Sequence, residues 1–215
     1  MLSNLDLSTL IAHLFVLLTA FSVHEFAHAW MANYFGDPTP RMNGRLTLNP
    51  LAHLDPIGSL LLLIAGFGWA KPVPVNPYAL RRRSSSAMML VALAGPLSNF
   101  VMALIAAIPF RIGWISLEEA ILAIQTRSNH LLPTLPQLLF VFIQINLLLM
   151  LFNLLPVAPL DGEKIAEYFF PPRWVQFLEA IRPYGPLILM AIVFFGVLGY
   201  LISPPLWFLI RILVG

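Results

Sequence analysis

Three stretches of the chain, Leu7–Tyr34, Ala87–Pro109 and Leu135–Leu155, are apolar for long enough to cross the hydrocarbon of a bilayer, which takes roughly 20 helical residues. A fourth, Pro186–Ile202, is shorter and is followed by Pro204 and Pro205, after which the apolar tail "LWFLIRILVG" either folds back along the interface or prolongs the span. Ile57–Ala70 is apolar too, but it is short and rich in Gly. It reads as a re-entrant segment, tolerable at depth only where protein or water covers its backbone. On either side, "RMNGRLTLNP" and "KPVPVNPY" alternate apolar residues with polar residues or prolines, a pattern suited to short edge strands. "SLEEAILAIQ", within the 111–133 connection, predicts an amphipathic helix at the interface. The pattern thus predicts an all-α polytopic membrane protein. It has about four transmembrane helices and a re-entrant or short β-hairpin region between the first two.

Composition agrees: 59% of residues are hydrophobic and 10% charged, with a mean hydropathy of +0.84, far below the usual quarter of charged residues in soluble domains. A net charge of +2, carried in short clusters between apolar runs, gives no nucleic-acid face. With no cysteine, disulfides and thiolate metal sites are excluded. No cleavable signal peptide is expected, because "MLSNLDLS" lacks a basic n-region. Arg41, Arg45, Lys71 and Arg81–Arg83 crowd the connection between the first two spans. The positive-inside bias places that connection in the cytoplasm and the N-terminus outside. Spans one and three then end at the same leaflet.

Within the first span, "FSVHEFAHAW" carries His24, Glu25 and His28. On a helix the two histidines lie about 40° apart on one face, and Glu25 flanks them. H-E-x-x-H on a helix is the arrangement in which two imidazoles bind zinc and the glutamate acts as general base. Ionisable groups at such depth are costly and mark function by default; the structural alternative is a set of polar groups capping or cross-bonding a helix near the interface. Catalytic zinc usually takes three protein ligands. The candidates for the third are His13, His53, His130, Asp55, Asp161 and Glu163. His13 is about three turns from His24, and His130 falls in the predicted external loop. Asp161 follows span three on the leaflet where span one ends, in "NLLPVAPLDG", stiffened by Pro156 and Pro159; its alternative role is to cap the helix "GEKIAEYFF". Asn146 is expected to make an interhelical hydrogen bond, and "RRRSSS" reads as an anchor against anionic headgroups.

"HEFAH" in the first span, "NLLPVAPLDG" at the end of the third and "LAGPLSN" between them resemble the site-2 protease family of intramembrane zinc metalloproteases, as do "GRLTLNPLAHLDPIG" and "GWAKPVPVNP". The resemblance covers about residues 8–170. It implies one Zn²⁺ held by His24, His28 and Asp161, Glu25 as catalytic base, and Asn153 binding the substrate backbone. His53 is left as a possible accessory residue. It also implies an intramembrane metalloendopeptidase whose partners are the lipid bilayer and transmembrane protein substrates. The expected setting is a prokaryotic cell (inner) membrane, with the site near the cytoplasmic leaflet. Residues 1–215 are expected to form a single membrane-embedded domain, a compact core without PDZ or CBS domains, its C-terminal helices at about 186–215. A membrane metal transporter or a non-catalytic zinc-binding scaffold is the alternative; a transporter would spread its ligands through the membrane's thickness, and a scaffold has no use for Glu25.

Overall fold

The computed structural model describes residues 7–55, 71–125 and 132–215. Its first helix, α1 (Leu7–Tyr34), buries a stripe at four-residue spacing, Ala12, Val16, Ala20, His24, His28 and Ala32, flanked by Thr9, Glu25 and Ala29. Each step of four residues advances about 40° around the axis, so the stripe winds slowly along the helix. Alanine at three of the stripe's six positions lets neighbouring backbones come close, as transmembrane helix packing favours. The partners are α3 (Ala87–Arg111) and α5 (Leu135–Asn153). Ala12 and Val16 pack on Val141 and Ile145 of α5. Farther along, Ala32 joins Ala87 and Val91 of α3 and Leu80 of the short helix α2 (Pro77–Arg83). The α3–α5 contact carries the main core, with Ala103, Ala107, Phe110, Phe140, Ile143 and Leu147. The amphipathic helix expected between them is α4 (Leu117–Gln125).

Beyond α5 the chain makes α6 (Asp161–Phe169), α7 (Pro172–Ile181), a 3₁₀ turn at Arg182–Tyr184, α8 (Gly185–Phe194) and α9 (Val197–Val214). Residues Pro172–Phe194, with α7, the turn and α8 in sequence, are long and apolar enough to cross a membrane, and so is α9. Among the described residues there are therefore five such helices, not about four. The stretch Pro186–Ile202 is not one span. It is divided at Gly196, whose φ of +71° is left-handed and accessible to glycine at no steric cost. Hydropathy runs unbroken through "FFGVLGY" and gives no sign of the division. Pro204 and Pro205 do not end the helix but lie inside α9, as prolines in membrane helices often do where neighbours re-satisfy the freed carbonyls.

No strand is present among the described residues, which corrects the expected edge strands. In the first flank the chain turns at Thr39–Met42, at Gly44 (φ +66°) and at Pro50–Ala52. In the second, Pro72 and Pro74 have no N–H to give a ladder, and three of the other N–H groups bond elsewhere. Lys71 N donates to His53 O (2.8 Å), Val73 N to Glu25 Oε2 (3.2 Å) and Asn76 N to Asp37 Oδ2 (2.6 Å). Arg45 Nη1 donates to Ala52 O and, at 3.4 Å, to Lys71 O. One backbone bond and the side chains of Glu25, Asp37 and Arg45, not a strand ladder, fasten this segment across the end of α1. The re-entrant segment Ile57–Ala70 and His130 lie outside the described residues.

Candidate active site

His24 and His28 leave α1 one turn apart and meet α3 at Gly95. A Cβ on Gly95 would lie 2.3 Å from His28 Nε2 and 2.6 Å from His24 Cε1, so only glycine lets α3 approach both rings. Each imidazole is then oriented from behind. His28 Nδ1 is 2.7 Å from Val91 O; a carbonyl only accepts, so Nδ1 carries the proton. His24 Nδ1 is 2.6 Å from Asn99 Oδ1. The amide orientation follows from a chain that ends on a backbone carbonyl. Asn146 Nδ2 donates to Phe142 O (2.9 Å), and Asn99 Nδ2 donates to Asn146 Oδ1 (2.8 Å). Asn99 must therefore accept from His24. Both Nε2 atoms are left as bare lone pairs on the inner side. The interhelical hydrogen bond expected of Asn146 is part of this chain.

The third group comes from α6. Its cap position is Leu160, which makes no side-chain cap, and Asp161 is the first helical residue. α6 can begin hard against the end of α5 because a Cβ on Gly162 would lie 2.3 Å from Leu155 O and 2.4 Å from Leu154 O. Asp161 Oδ2 then stands 3.2 Å from His24 Nε2 and 3.3 Å from His28 Nε2, and the two nitrogens are 3.0 Å apart.

These atoms fit a zinc ion. Three lone-pair donors facing one another at 3.0–3.3 Å repel unless a cation stands between them, and Asp161 Oδ2 is buried without a hydrogen-bond partner. Ligands about 2.0–2.1 Å from a tetrahedral zinc would be separated by roughly 3.3–3.4 Å, close to the edges of this triangle. Two imidazoles and a carboxylate are a donor set that zinc accepts, and the hydrogen bonds behind each imidazole are what ligating histidines generally have. Among the described residues, this is the one group of three or more such side chains close enough to share an ion.

Glu25, 9% exposed, points to the segment that crosses the end of α1, where its Oε2 accepts from Val73 N. Asn153 closes α5; its Nδ2 donates to Leu149 O at 3.0 Å. His53 is buried outside the three-atom cluster, with Nε2 2.8 Å from Thr47 O and Nδ1 without a partner. Gly95 and Asn99 both lie within "LAGPLSN", but the sequence assigned neither a role. An asparagine in an apolar span, four residues after a glycine, was the available signal.

The profile of Peptidase family M50 matches residues 113–195. The chain is 40% identical over 190 residues to "Putative zinc metalloprotease YwhC" of Bacillus subtilis, covering 88% of this chain and 83% of that protein. It is 31% identical over 199 residues to "Putative zinc metalloprotease Rip2" of Mycolicibacterium smegmatis, covering 89% and 67%. For the Rip2 of Mycobacterium tuberculosis the identity is 31% over 198 residues, covering 86% and 70%. No solved structure matches the chain. With its apolar helices and a donor set suited to zinc, this chain is an integral membrane metalloprotease that belongs to peptidase family M50, the site-2 protease family.

Proposed function

We propose that this chain is a single membrane-embedded catalytic domain that hydrolyses peptide bonds within or near transmembrane segments of other membrane proteins, as in regulated intramembrane proteolysis. The observation that carries this reading is the convergence of His24 Nε2, His28 Nε2 and Asp161 Oδ2 among helices apolar enough to span a bilayer. A scissile bond in lipid requires its catalytic groups at that depth.

His24, His28 and Asp161 hold the metal. Bound zinc would supply a Lewis acid for the carbonyl and would lower the pKa of a water toward about 7. Glu25 is the general base. Its Oε2 is steadied by the Val73 N–H, which leaves Oε1 to take the proton of the attacking water and hand it to the departing amide nitrogen. Asn153 binds substrate: with Nδ2 committed to Leu149 O, its Oδ1 is available to accept from a substrate N–H. His53 has an accessory role, exercised through Nδ1. Peptide bonds in a helix are already hydrogen-bonded, so the substrate unwinds locally before it is cut. The exposed Arg81–Arg83 at the end of α2 favours a cytoplasmic position for that end of α1. With bacterial relatives, this points to a prokaryotic cell (inner) membrane and a site near the cytoplasmic leaflet.

The test is a cleavage assay in proteoliposomes with an isotopically labelled single-span peptide, mapping products by mass spectrometry. The expected result is a cut inside or at the edge of the span, abolished by a chelator and restored by zinc. Cleavage confined to the aqueous flanks, or indifferent to chelation, would overturn the reading.

A further inference from the structure

The stretch Pro172–Phe194 is apolar enough to cross a membrane, yet it contains Arg182. An arginine at such a position needs partners, and it finds them on α6. Arg182 Nε donates to Glu163 Oε1 at 2.5 Å, and Nη2 donates to Glu167 Oε1. Lys164 Nζ lies 3.0 Å from Glu167 Oε1 and 3.5 Å from Glu163 Oε2, so two cations and two carboxylates balance. The Glu163 side chain is only 5% exposed.

Three residues on, the same corner touches the chain on the other side of Asp161. A Cβ on Gly185 would lie 2.2 Å from Ala158 O, so only glycine lets the start of α8 rest against the 156–160 loop. The corner formed by Arg182 and Gly185 thus grips Ala158, before Asp161, and Glu163, after it. Gly162 presses the same turn onto the end of α5. A carboxylate held at 3.2 and 3.3 Å from two imidazoles tolerates little rotation of the helix that carries it.

We propose that Arg182, together with Gly185, is a positioning residue for the metal centre, seating α6 so that Asp161 Oδ2 faces the two imidazoles. This rests on the reading of Asp161 as a ligand. It gives the helices after residue 172 a part in building the centre, although they lie outside both the H-E-x-x-H motif and the "NLLPVAPLDG" segment.

The experiment is zinc affinity by chelator competition for the purified full chain, with circular dichroism and thermal unfolding of each metal-free form. The variants are Arg182→Ala, Arg182→Lys, Gly185→Ala and Asp161→Ala. Losing a group that orients a metal ligand typically costs about 10–100-fold in affinity. Arg182→Ala is expected to fall in that range and Arg182→Lys to lose less, since lysine keeps the charge but not the planar fork. Gly185→Ala is expected to weaken binding in the same direction. Wild-type affinity in Arg182→Ala, while Asp161→Ala loses zinc, would overturn the positioning role alone. Wild-type affinity in Asp161→Ala would overturn the ligand assignment and this inference with it. Should Arg182→Ala fail to fold because buried Glu163 loses the nearer of its two cations, Arg182→Ala/Glu163→Gln removes that charge. Weak zinc binding by the folded double variant supports the proposal, and wild-type binding defeats it.

Discussion

The two ends of α1 bury polar groups in opposite ways. Near its start, Gln137 of α5 is fully buried, and its Nε2 donates to Thr9 Oγ1 at 2.8 Å and to Ser8 Oγ at 3.4 Å. Its Oε1 accepts from Thr134 N in a capping box. Donors there meet acceptors. Toward the other end, three acceptors face one another and Asp161 Oδ2 has no partner. Both ends place side chains of similar polarity on the same helix face at an apolar interface, so burial does not distinguish them. Complementarity does: a network closed on itself joins helices, whereas three acceptors turned toward one another are arranged to hold a cation.

The contrast is sharpened most by separating the base from the ligands. Glu25→Gln keeps the side chain's size and its acceptor for Val73 N–H, and removes only the ability to take a proton. Turnover is expected to fall by about 10²–10⁴-fold, with zinc content per chain unchanged. Loss of zinc in that variant would make Glu25 part of the ligand set and break the division of labour.

Gly95→Ala comes next. The new methyl would lie 2.3 Å from His28 Nε2, and the rings cannot step aside without leaving Asn99 and Val91. Zinc affinity is expected to drop toward the upper end of roughly 10–100-fold while the metal-free chain folds. Asn99→Ala leaves His24 in place but removes the group that fixes its tautomer, and the expected loss is nearer the lower end of that range. Chelator competition measures both. Wild-type affinity in Gly95→Ala would mean that the rings are not held as tightly as their hydrogen bonds imply.

How much of this was legible beforehand depended on the range of the interaction. His24, Glu25 and His28 were readable because helical spacing is local: residues four apart share a face whatever surrounds them. The pairing of Asp161 with them came from a resemblance between motifs, since nothing local joins positions separated by more than a hundred residues. Gly95 was invisible because its purpose is an absence, the missing Cβ that admits two rings from another helix. Arg182 and Gly185 matter through contacts with α6 and the loop before it, in a stretch where a few charged residues amid apolar ones gave no sign of which partner they would meet. The strands expected around Ile57–Ala70 failed for a related reason. Alternation of residue types predicts where side chains point, but Glu25, Asp37 and Arg45 had already taken backbone groups that a ladder would need.

The smallest expected effect lies at the quiet end of α1. Gln137→Leu removes one interhelical donor and half of the Thr134 capping box; no side-chain amide is left buried and unpaired, and the partly exposed Thr134 N–H loses only a long bond. The hydroxyl of Thr9 can turn back to its own helix, as threonines in membrane helices do. Interhelical hydrogen bonds of this kind are worth about 0.6 kcal/mol on average, so the variant should unfold slightly earlier on heating, with zinc affinity and cleavage unchanged. A large fall in zinc affinity would show that the first turns of α1 help to set the depth of His24 and His28. The two ends would then be one device, and the distinction between a closed network and an open one would not describe this helix.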